Sequence, residues 1–433
     1  MLMKSLSREC FSLALVLSLT TASAAANADE LQDVKTQLDA LQQRLADVER
    51  TTNAGTPGNP VTGGATKGSF KLPASDTSVT LGGYVKFDAI FSDRSAGVGS
   101  TGDQELEPAS IPVGPSAGAN ERNQVKLHAR QSRLFVRTSK PTDLGELGSY
   151  VEVDFFGASG NESVSNSNGL RARHVYGTLG GLLFGQTWTT FSDVDAYPET
   201  VDFGGPVGQI FARQAQARWT QRFAGGQWAV ALENPETVAA LANGTAFRAD
   251  DDRLPDLAAN VRFETPFGRY TIAGLLRQVR IDSASDPASR SQKTGSALGV
   301  NAIVPFGSKD DLRAYFYFGD GIGRYTAGFL SDGIVTTTGQ LQLPSQWVAA
   351  AAYRHFWTPN LRSTLALSGL ATQTTADTAG PVNKNAQSTH LNLIWSPLAQ
   401  TNLGIEYVYA RRETRDGLSG RLDRLQTAAQ YSF

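Results

Sequence analysis

An alternation of apolar and polar residues with a period of two runs through most of this chain, and it restricts the possible folds more than any other feature. It first appears in a segment whose alternate positions are apolar, namely Val79, Leu81, Val85, Phe87, Ala89 and Phe91. The opposite face of this segment carries Lys86 and Asp88. A period of two indicates a β-strand with two different faces. Because a charged side chain is costly to bury unpaired in a dry core, we expect the polar face to line a wet interior.

The connections between such segments alternate in length. Short turns with Gly, Pro or Asn, which are favoured in tight turns, fall at residues 140–145, 180–181, 224–226, 266–268, 305–308, 358–360 and 397–400. Longer polar stretches fall near residues 92–122, 159–169, 189–211, 237–256, 283–292, 320–344, 373–385 and 413–422. About seven short turns and eight long loops join about 16 strands, an arrangement typical of an outer-membrane barrel. We therefore predict an all-β transmembrane barrel of about 16 antiparallel strands over residues 79–433.

The last nine residues, 425–433, also alternate, and they end in Phe433. This pattern is typical of the closing strand of an outer-membrane barrel. An ordinary edge strand of a soluble domain is the alternative interpretation.

The first residues have the order of a secretory signal. Lys4 and Arg8 form a basic start, and residues 11–19 form an apolar run. A small-residue cleavage site follows at Ala26-Asn27-Ala28. This order predicts a signal peptide over residues 1–28. No later run reaches the roughly 18 apolar residues that a transmembrane helix needs, so we expect export to the bacterial outer membrane.

Residues 29–50 carry a heptad pattern. Its apolar positions alternate three and four residues apart, at Leu31, Val34, Leu38, Leu41, Leu45 and Val48. The flanking positions pair opposite charges, Glu30 with Lys35 and Arg44 with Glu49. We predict a periplasmic coiled-coil helix that joins copies of the chain into trimers or tetramers, followed by a flexible linker over residues 51–78. A single amphipathic helix folded on its own domain is the alternative.

Composition argues against several other classes of protein. The 39 basic and 41 acidic residues leave a net charge of −2, which does not favour nucleic-acid binding. The single cysteine, Cys10, lies in the predicted signal peptide, so no disulfide is expected. The four histidines lack zinc-ligand spacing, and no nucleophile, phosphate-loop or dinucleotide motif is present. We therefore expect no metal site, no cofactor and no catalytic residue.

The third long stretch, from Trp188 to Phe211, is the best candidate for a functional loop. It contains the four carboxylates Asp193, Asp195, Glu199 and Asp202. In general porins the third loop folds into the barrel and narrows the pore, and this stretch has the same place in the strand order. Its acidic groups would then face basic groups of the wall and create a transverse field. An extracellular loop that makes trimer or surface contacts is the alternative.

Strand parity predicts which side chains line the lumen. With Leu134 and Val136 facing lipid, the residues expected inside are Lys86, Arg133, Arg137, Glu152, Asp154, Arg171, Arg173, Gln214, Gln216, Arg218, Arg222, Arg262 and Arg277. Few arginines can point outward, because each would cost about 2–4 kcal/mol at mid-membrane. Arginine outnumbers acid in this set and suits carboxylates, which predicts a channel for anions. The alternative is that each arginine pairs with a neighbouring acid and only stiffens the wall.

Several motifs give the chain a resemblance to a known family. They are Arg130-Gln-Ser-Arg133, Phe184-Gly-Gln-Thr-Trp188, Phe306-Gly-Ser-Lys-Asp-Asp-Leu312 and Gly319-Asp-Gly-Ile-Gly-Arg-Tyr325. Together with the coil, linker and barrel, they resemble the DcaP family of trimeric outer-membrane porins. The resemblance implies a homotrimer of 16-stranded barrels and uptake of dicarboxylic acids.

The preferred hypothesis is a channel for passive diffusion of small hydrophilic solutes, chiefly anions such as dicarboxylates. It would be a homotrimer surrounded by outer-membrane lipid. Three other hypotheses stay open at this stage: a general non-selective porin, an outer-membrane enzyme built on a barrel, and a structural barrel whose coil contacts peptidoglycan.

Overall fold

The computed structural model describes residues 35–44, 62–66, 68–94, 101–115, 123–157, 163–249, 252–281, 290–373 and 382–433. It has two units, Met1–Asp76 and Thr77–Phe433. In the first unit, a helix with exposed side chains covers residues 35–44. Two short strands of two residues each, Thr62–Gly63 and Phe70–Lys71, pair in antiparallel orientation to form a hairpin.

The helix lies within the predicted coiled coil, and the hairpin lies within the predicted linker. The signal peptide over residues 1–28 falls outside the described residues, as does most of the heptad. Both the signal peptide and the coiled-coil association therefore stay predictions. In the part of the chain that the structure describes, no helix has the length and apolar character needed to cross a membrane.

The second unit is a closed antiparallel β-barrel, with 16 strands among the described residues. The strands are β1 (Ser78–Ser92), β2 (two segments, Gln124–His128 and Arg133–Thr142), β3 (Gly145–Asp154), β4 (Arg171–Leu179), β5 (Leu182–Trp188), β6 (Arg213–Phe223), β7 (Gly226–Glu233), β8 (Asp256–Thr265), β9 (Gly268–Ile281), β10 (Ser291–Phe306), β11 (Asp310–Asp320), β12 (Ser345–Thr358), β13 (Leu361–Thr372), β14 (Asn383–Trp395), β15 (Thr401–Thr414) and β16 (Ser419–Ser432). Both segments of β2 pair with β1. Strand β16 also pairs with β1, which closes the sheet and confirms the predicted barrel.

The barrel wall has an apolar outer face and a more polar inner face. In β1, Leu81 and Phe87 are exposed on the outside, whereas Lys86 and Asp88 are buried inside. A closed sheet satisfies every backbone group between neighbouring strands, which a bilayer requires because it offers no hydrogen-bond partners. The alternation of side chains then places apolar groups against lipid and polar groups in the lumen.

The connections at one end of the barrel are two to five residues long, and those at the other end include four long loops. These are loop 1 (93–123), loop 3 (189–212), loop 4 (234–255) and loop 6 (321–344). The last connection, at residues 415–418, is shorter than the predicted stretch of 413–422. Strands β15 and β16 continue almost to the tip there, because Gly417 adopts a positive φ of 82° and makes the turn tight.

The buried apolar residues lie between the inner wall and loops that fold inward. The loop members include Leu106 and Ile111 of loop 1, Phe191 and Ile210 of loop 3, and Tyr325 and Leu330 of loop 6. The wall members include Tyr317 of β11, Val348 of β12, Leu370 of β13 and Val408 of β15. Because the wall members come from β8 to β16, the loops cover that side of the interior.

Candidate functional site

Loop 3 crosses the interior of the barrel. The backbone N–H of Thr190 donates to Glu233 of β7 at 2.6 Å, and that of Val201 donates to Glu406 of β15 at 2.7 Å. Both carboxylates are buried on the inner face. Strands β7 and β15 lie eight strands apart in a barrel of 16, on opposite sides. A loop tied to both must span the lumen, where it is placed to narrow the pore.

The first acidic residues of loop 3 pair with arginines of the neighbouring wall. Asp193 lies 3.2 Å from both Arg262 and Arg269, and Asp195 lies 3.0 Å from Arg269. The hydroxyl of Thr271 also donates to Asp193 at 2.6 Å. These contacts hold the beginning of the loop against β8 and β9.

The middle of loop 3 is held in the same way. Glu199 lies 2.6 Å from Arg362 and 3.3 Å from Arg354. Arg313 donates to the carbonyl of Tyr197 at 3.0 Å and pairs with Asp311 at 2.7 Å. We call the five arginines of this side the anchor wall: Arg262, Arg269, Arg313, Arg354 and Arg362.

Asp202 is the carboxylate of loop 3 that forms a fully buried ion pair. It is fully buried with Arg424 of β16 at 3.2 Å, and it accepts the backbone N–H of Leu106 at 2.9 Å. All four predicted constriction carboxylates are therefore engaged in ion pairs with arginines of the wall, the kind of group that the sequence predicts them to face. The physical reason is that inward arginines need compensation, and the loop supplies it.

A second group of arginines lies on the other side of the lumen. We call Arg133, Arg171, Arg173 and Arg213 the arginine cluster. Arg171 makes two hydrogen bonds to Asp154, at 3.0 and 2.7 Å. Arg173 lies 2.6 Å from Glu152 and 3.0 Å from Asp154, whereas Arg133 approaches Glu152 only to 3.8 Å. The guanidinium groups of Arg133, Arg171 and Arg173 thus share two carboxylates.

An aromatic ring of loop 3 is inserted into the arginine cluster. Phe203 stacks on Phe156 with ring centroids 4.9 Å apart and an angle of 13° between the planes. The guanidinium groups of Arg133, Arg171 and Arg173 lie 5.7, 5.7 and 5.6 Å from the Phe203 centroid. Cations at this distance from a ring are attracted by its quadrupole. The contact fixes the tip of the loop beside the positive wall.

Arg213 was not predicted as a site residue. Its guanidinium lies 5.0 Å from the ring of Trp188 and 5.2 Å from that of Phe211. Among the described residues it has no ion pair, and one terminal nitrogen is buried without a hydrogen-bond partner. Parity from Gln214 would place Arg213 outside, but it is the first residue of β6, where the chain still leaves loop 3. The free-energy cost of an arginine that faces lipid could have indicated from the sequence that Arg213 turns inward.

Arg218 was predicted as pore-lining and faces inward on β6. Its Nε is buried without a hydrogen-bond partner, and it has no ion pair with any described residue. Arg137 and Arg222 lie near the short-turn end and are exposed, and Arg137 lies 5.5 Å from the ring of Tyr150.

Lys86, Gln214 and Gln216 make hydrogen bonds to neighbouring strands and loops in the interior. Lys86 donates to the carbonyl of Val201 at 2.6 Å, and Gln216 donates to that of Trp188 at 2.9 Å. The side chain of Gln214 hydrogen-bonds Glu233, Tyr325 and Arg324. Their inward direction follows parity, but their polar groups hold loops rather than meeting open solvent.

Arg277 occupies a different place from the one predicted. Its side chain is fully buried, 3.3 Å from Asp256 and 2.8 Å from Asp332 of loop 6. It also donates to the carbonyl of Gly321 at 2.9 Å. Loop 6 folds over it, so Arg277 holds this loop and does not line the pore.

A serine, a histidine and a glutamate meet on the inner wall. His390 Nδ1 lies 3.0 Å from Glu406, and its Nε2 lies 3.1 Å from the Ser388 hydroxyl. The sequence did not predict this contact, because the three residues lie on β14 and β15. All three are buried, and the Ser388 hydroxyl also accepts the N–H of Val207 in loop 3 at 3.0 Å. The arrangement is closed to a substrate and anchors the loop. Among the described residues, no cluster of His, Cys, Asp or Glu could hold a metal ion.

A cavity of about 320 Å³ lies between the loops and the arginine cluster. Its lining includes Glu105 of loop 1, Arg171 of β4, Phe203 and Phe211 of loop 3, and Arg324 of loop 6. Because the lining combines charged groups with aromatic and aliphatic groups, a small solute in this cavity can contact both kinds.

The comparisons with known proteins agree with this architecture. The family model described as DcaP outer membrane protein matches residues 19–433. The crystal structure of the outer membrane channel DcaP of Acinetobacter baumannii is 24% identical, with a TM-score of 0.72 over 84% of this chain and 99% of that chain. No curated protein matches the chain.

Two more distant outer-membrane proteins share the fold. The anion-selective porin from Comamonas acidovorans is 13% identical, with a TM-score of 0.52 over 82% of this chain and 100% of that chain. The trimer form of OmpT from Vibrio cholerae is 10% identical, with a TM-score of 0.52 over 82% of this chain and 99% of that chain. At these identities the likeness extends to the fold alone.

Proposed function

The chain belongs to the DcaP outer membrane protein family, a family of outer-membrane channels, and on that premise we propose that it passes small hydrophilic anions, dicarboxylates among them, by passive diffusion. The preference for anions comes from the arginine cluster. The loop that narrows the lumen sets the size limit for the solute.

The observation that carries this proposal is the excess of arginine over carboxylate at the narrowed part of the lumen. Arg133, Arg171 and Arg173 share Glu152 and Asp154, and Arg213 adds a fourth positive charge that has no ion pair with any described residue. Fixed charges act over about 8–10 Å at physiological salt, so this excess is felt by an ion that passes beside Phe203. The planar fork of a guanidinium also matches the two oxygens of a carboxylate.

The pairing of loop 3 supports the same direction of selectivity. Had its four carboxylates been free, they would repel anions at the narrowing. They are instead paired with the anchor wall and with Arg424. Their negative charge is compensated locally, and the arginine excess on the facing wall is left to act on solutes.

Reversal potentials in planar bilayers under a salt gradient test the proposal. We expect a potential of the sign that anion permeation produces. Liposome swelling should be faster with small dicarboxylates than with neutral sugars of similar size. A wild-type channel that prefers cations would contradict the proposal, and equal swelling rates would leave a general non-selective porin.

We also propose that the channel is a homotrimer with its N-terminal coil in the periplasm. The heptad over residues 29–50 supports this, and a trimer form is described for the OmpT of Vibrio cholerae that shares the fold. About three heptads are marginal alone, so the barrel walls should supply most of the contact. Deletion of residues 29–50 should therefore leave a heat-labile oligomer on unheated gels. A monomer by native mass spectrometry, in the full-length protein, contradicts the trimer.

A further inference from the structure

Glu105 of loop 1 is a carboxylate in the lumen that the proposed function does not use. It lines the cavity of about 320 Å³ together with Arg171 and Phe203. Among the described residues it makes neither a hydrogen bond nor an ion pair, in contrast to the acids of loop 3. A carboxylate without a partner at a permeation cavity acts directly on the ions that pass.

Loop 1 is held so that Glu105 cannot easily move away. The N–H of the next residue, Leu106, donates to Asp202 at 2.9 Å, and Asp202 is itself paired with Arg424. Loops 1 and 3 touch closely here, since a Cβ on Gly204 would lie 2.3 Å from the Leu106 carbonyl oxygen. The position of Glu105 is therefore set by the same buried ion pair that fixes loop 3.

The charged groups that face Glu105 come from several elements. They are Asp202 of loop 3, Arg171 of β4, Glu107 of loop 1 and Arg130 between the two segments of β2. Arg171 is already bound by Asp154, so it compensates Glu105 only in part. Burial, followed by the negative charge of Asp202, raises the pKa of Glu105 to about 7. The group thus changes charge close to neutral pH.

We propose that Glu105 is a specificity-determining residue of the channel, whose negative charge opposes the arginine cluster and whose protonation increases the preference for anions. This inference rests on the proposed function, because it concerns the same lumen. Below neutral pH, Glu105 is protonated and the cluster acts alone. Above neutral pH, Glu105 is ionised and offsets one of the positive charges.

Reversal potentials of the full-length channel at about pH 5.5 and about pH 8.5 test the proposal. In the wild type, the anion-to-cation permeability ratio should be about fivefold higher at the lower pH, the effect expected of one unit charge near the ion path. Glu105→Gln, a substitution of similar shape, should keep the high ratio at both pH values. Asp143→Asn, in an exposed short turn at the other end, should behave as the wild type.

The possible results separate this inference from the proposed function. His128 lies near Glu105, because its Nε2 is 2.8 Å from the carbonyl oxygen of the preceding residue, Gln104. The Glu105→Gln variant therefore distinguishes a pH dependence that comes from Glu105 from one that comes from this histidine. A Glu105→Gln channel that retains the full pH dependence would overturn the inference, and an anion-selective wild type without pH dependence would do so as well. A pore that prefers cations at both pH values, yet loses its pH dependence in Glu105→Gln, would support the inference and contradict the anion proposal.

Discussion

The anchor wall and the arginine cluster both consist of arginines, but the two groups differ in how completely carboxylates pair with them. The five arginines of the anchor wall meet four carboxylates, Asp193, Asp195, Glu199 and Asp311, most of them at 2.6–3.3 Å. In the cluster, Arg133, Arg171 and Arg173 share Glu152 and Asp154, and Arg213 has no ion pair with any described residue. One set holds loop 3, and the other contains more guanidinium groups than carboxylates. The availability of an arginine therefore depends on where the loop places its acids.

The largest effect should come from breaking the buried pair that holds the loop tip. Asp202→Ala leaves Arg424 buried without its carboxylate, and removal of one partner of such a pair costs about 3–5 kcal/mol. We expect a lower unfolding midpoint in denaturant and irregular current fluctuations in bilayers. The double variant Asp202→Ala, Arg424→Met should recover most of the stability, because no unpaired charge is left. Equal stability of the single and double variants would show that the pair does not hold the loop.

The next effect should come from the centre of the arginine cluster. Arg173→Ala removes the group that pairs with both Glu152 and Asp154, and so leaves negative charge beside the ion path. The anion-to-cation permeability ratio should fall about tenfold, more than one exposed unit charge in water would produce, because the site is partly shielded. Arg415→Ala, in the last outer connection, is the control and should leave the reversal potential unchanged. Matching potentials for the two variants would exclude the cluster as the source of selectivity.

A smaller effect is expected from Arg213 and Arg218, which have no carboxylate partner among the residues that the structure describes. Arg213→Ala or Arg218→Ala removes one positive charge without exposing an acid, so the ratio should fall about fivefold. Arg222→Ala, exposed near the short-turn end, is the matched control. A fall in the control as large as that in Arg213→Ala would place the selective charge at the mouth instead of the narrowing.

The smallest effect should be the response to salt. Between about 0.1 M and 1 M salt, the screening length falls from about 10 Å to 3 Å. The selectivity produced by the cluster, in which Arg133 and Arg171 are partly exposed, should therefore weaken by up to about threefold. The heat stability of the folded barrel should change little, since the pair of Asp202 and Arg424 is fully buried. A stability that falls with salt as steeply as the selectivity would contradict the distinction between the two regions.

Local patterns in the sequence were enough to predict the wall. Alternation and turn composition led to 16 strands and to the inward direction of Arg133, Arg171 and Arg173, because in a closed sheet the side of each residue follows from its parity. The last loop was predicted too long, since a single glycine turn extends the pairing of β15 and β16. Parity also failed at Arg213, where a strand emerges from a loop and the side chain turns inward against Trp188 and Phe211.

By itself, the sequence determined the barrel, its strand number and the face of most wall residues, because these depend on period and on neighbouring residues in the chain. Only the tertiary structure decided which charges are compensated. Asp202 and Arg424 meet although 222 residues separate them, and Arg277 is enclosed by loop 6. Such pairs depend on where loops settle inside the barrel, which is a matter of long-range packing that no local pattern encodes. The same long-range packing placed Glu105 in the lumen cavity beside the arginine cluster.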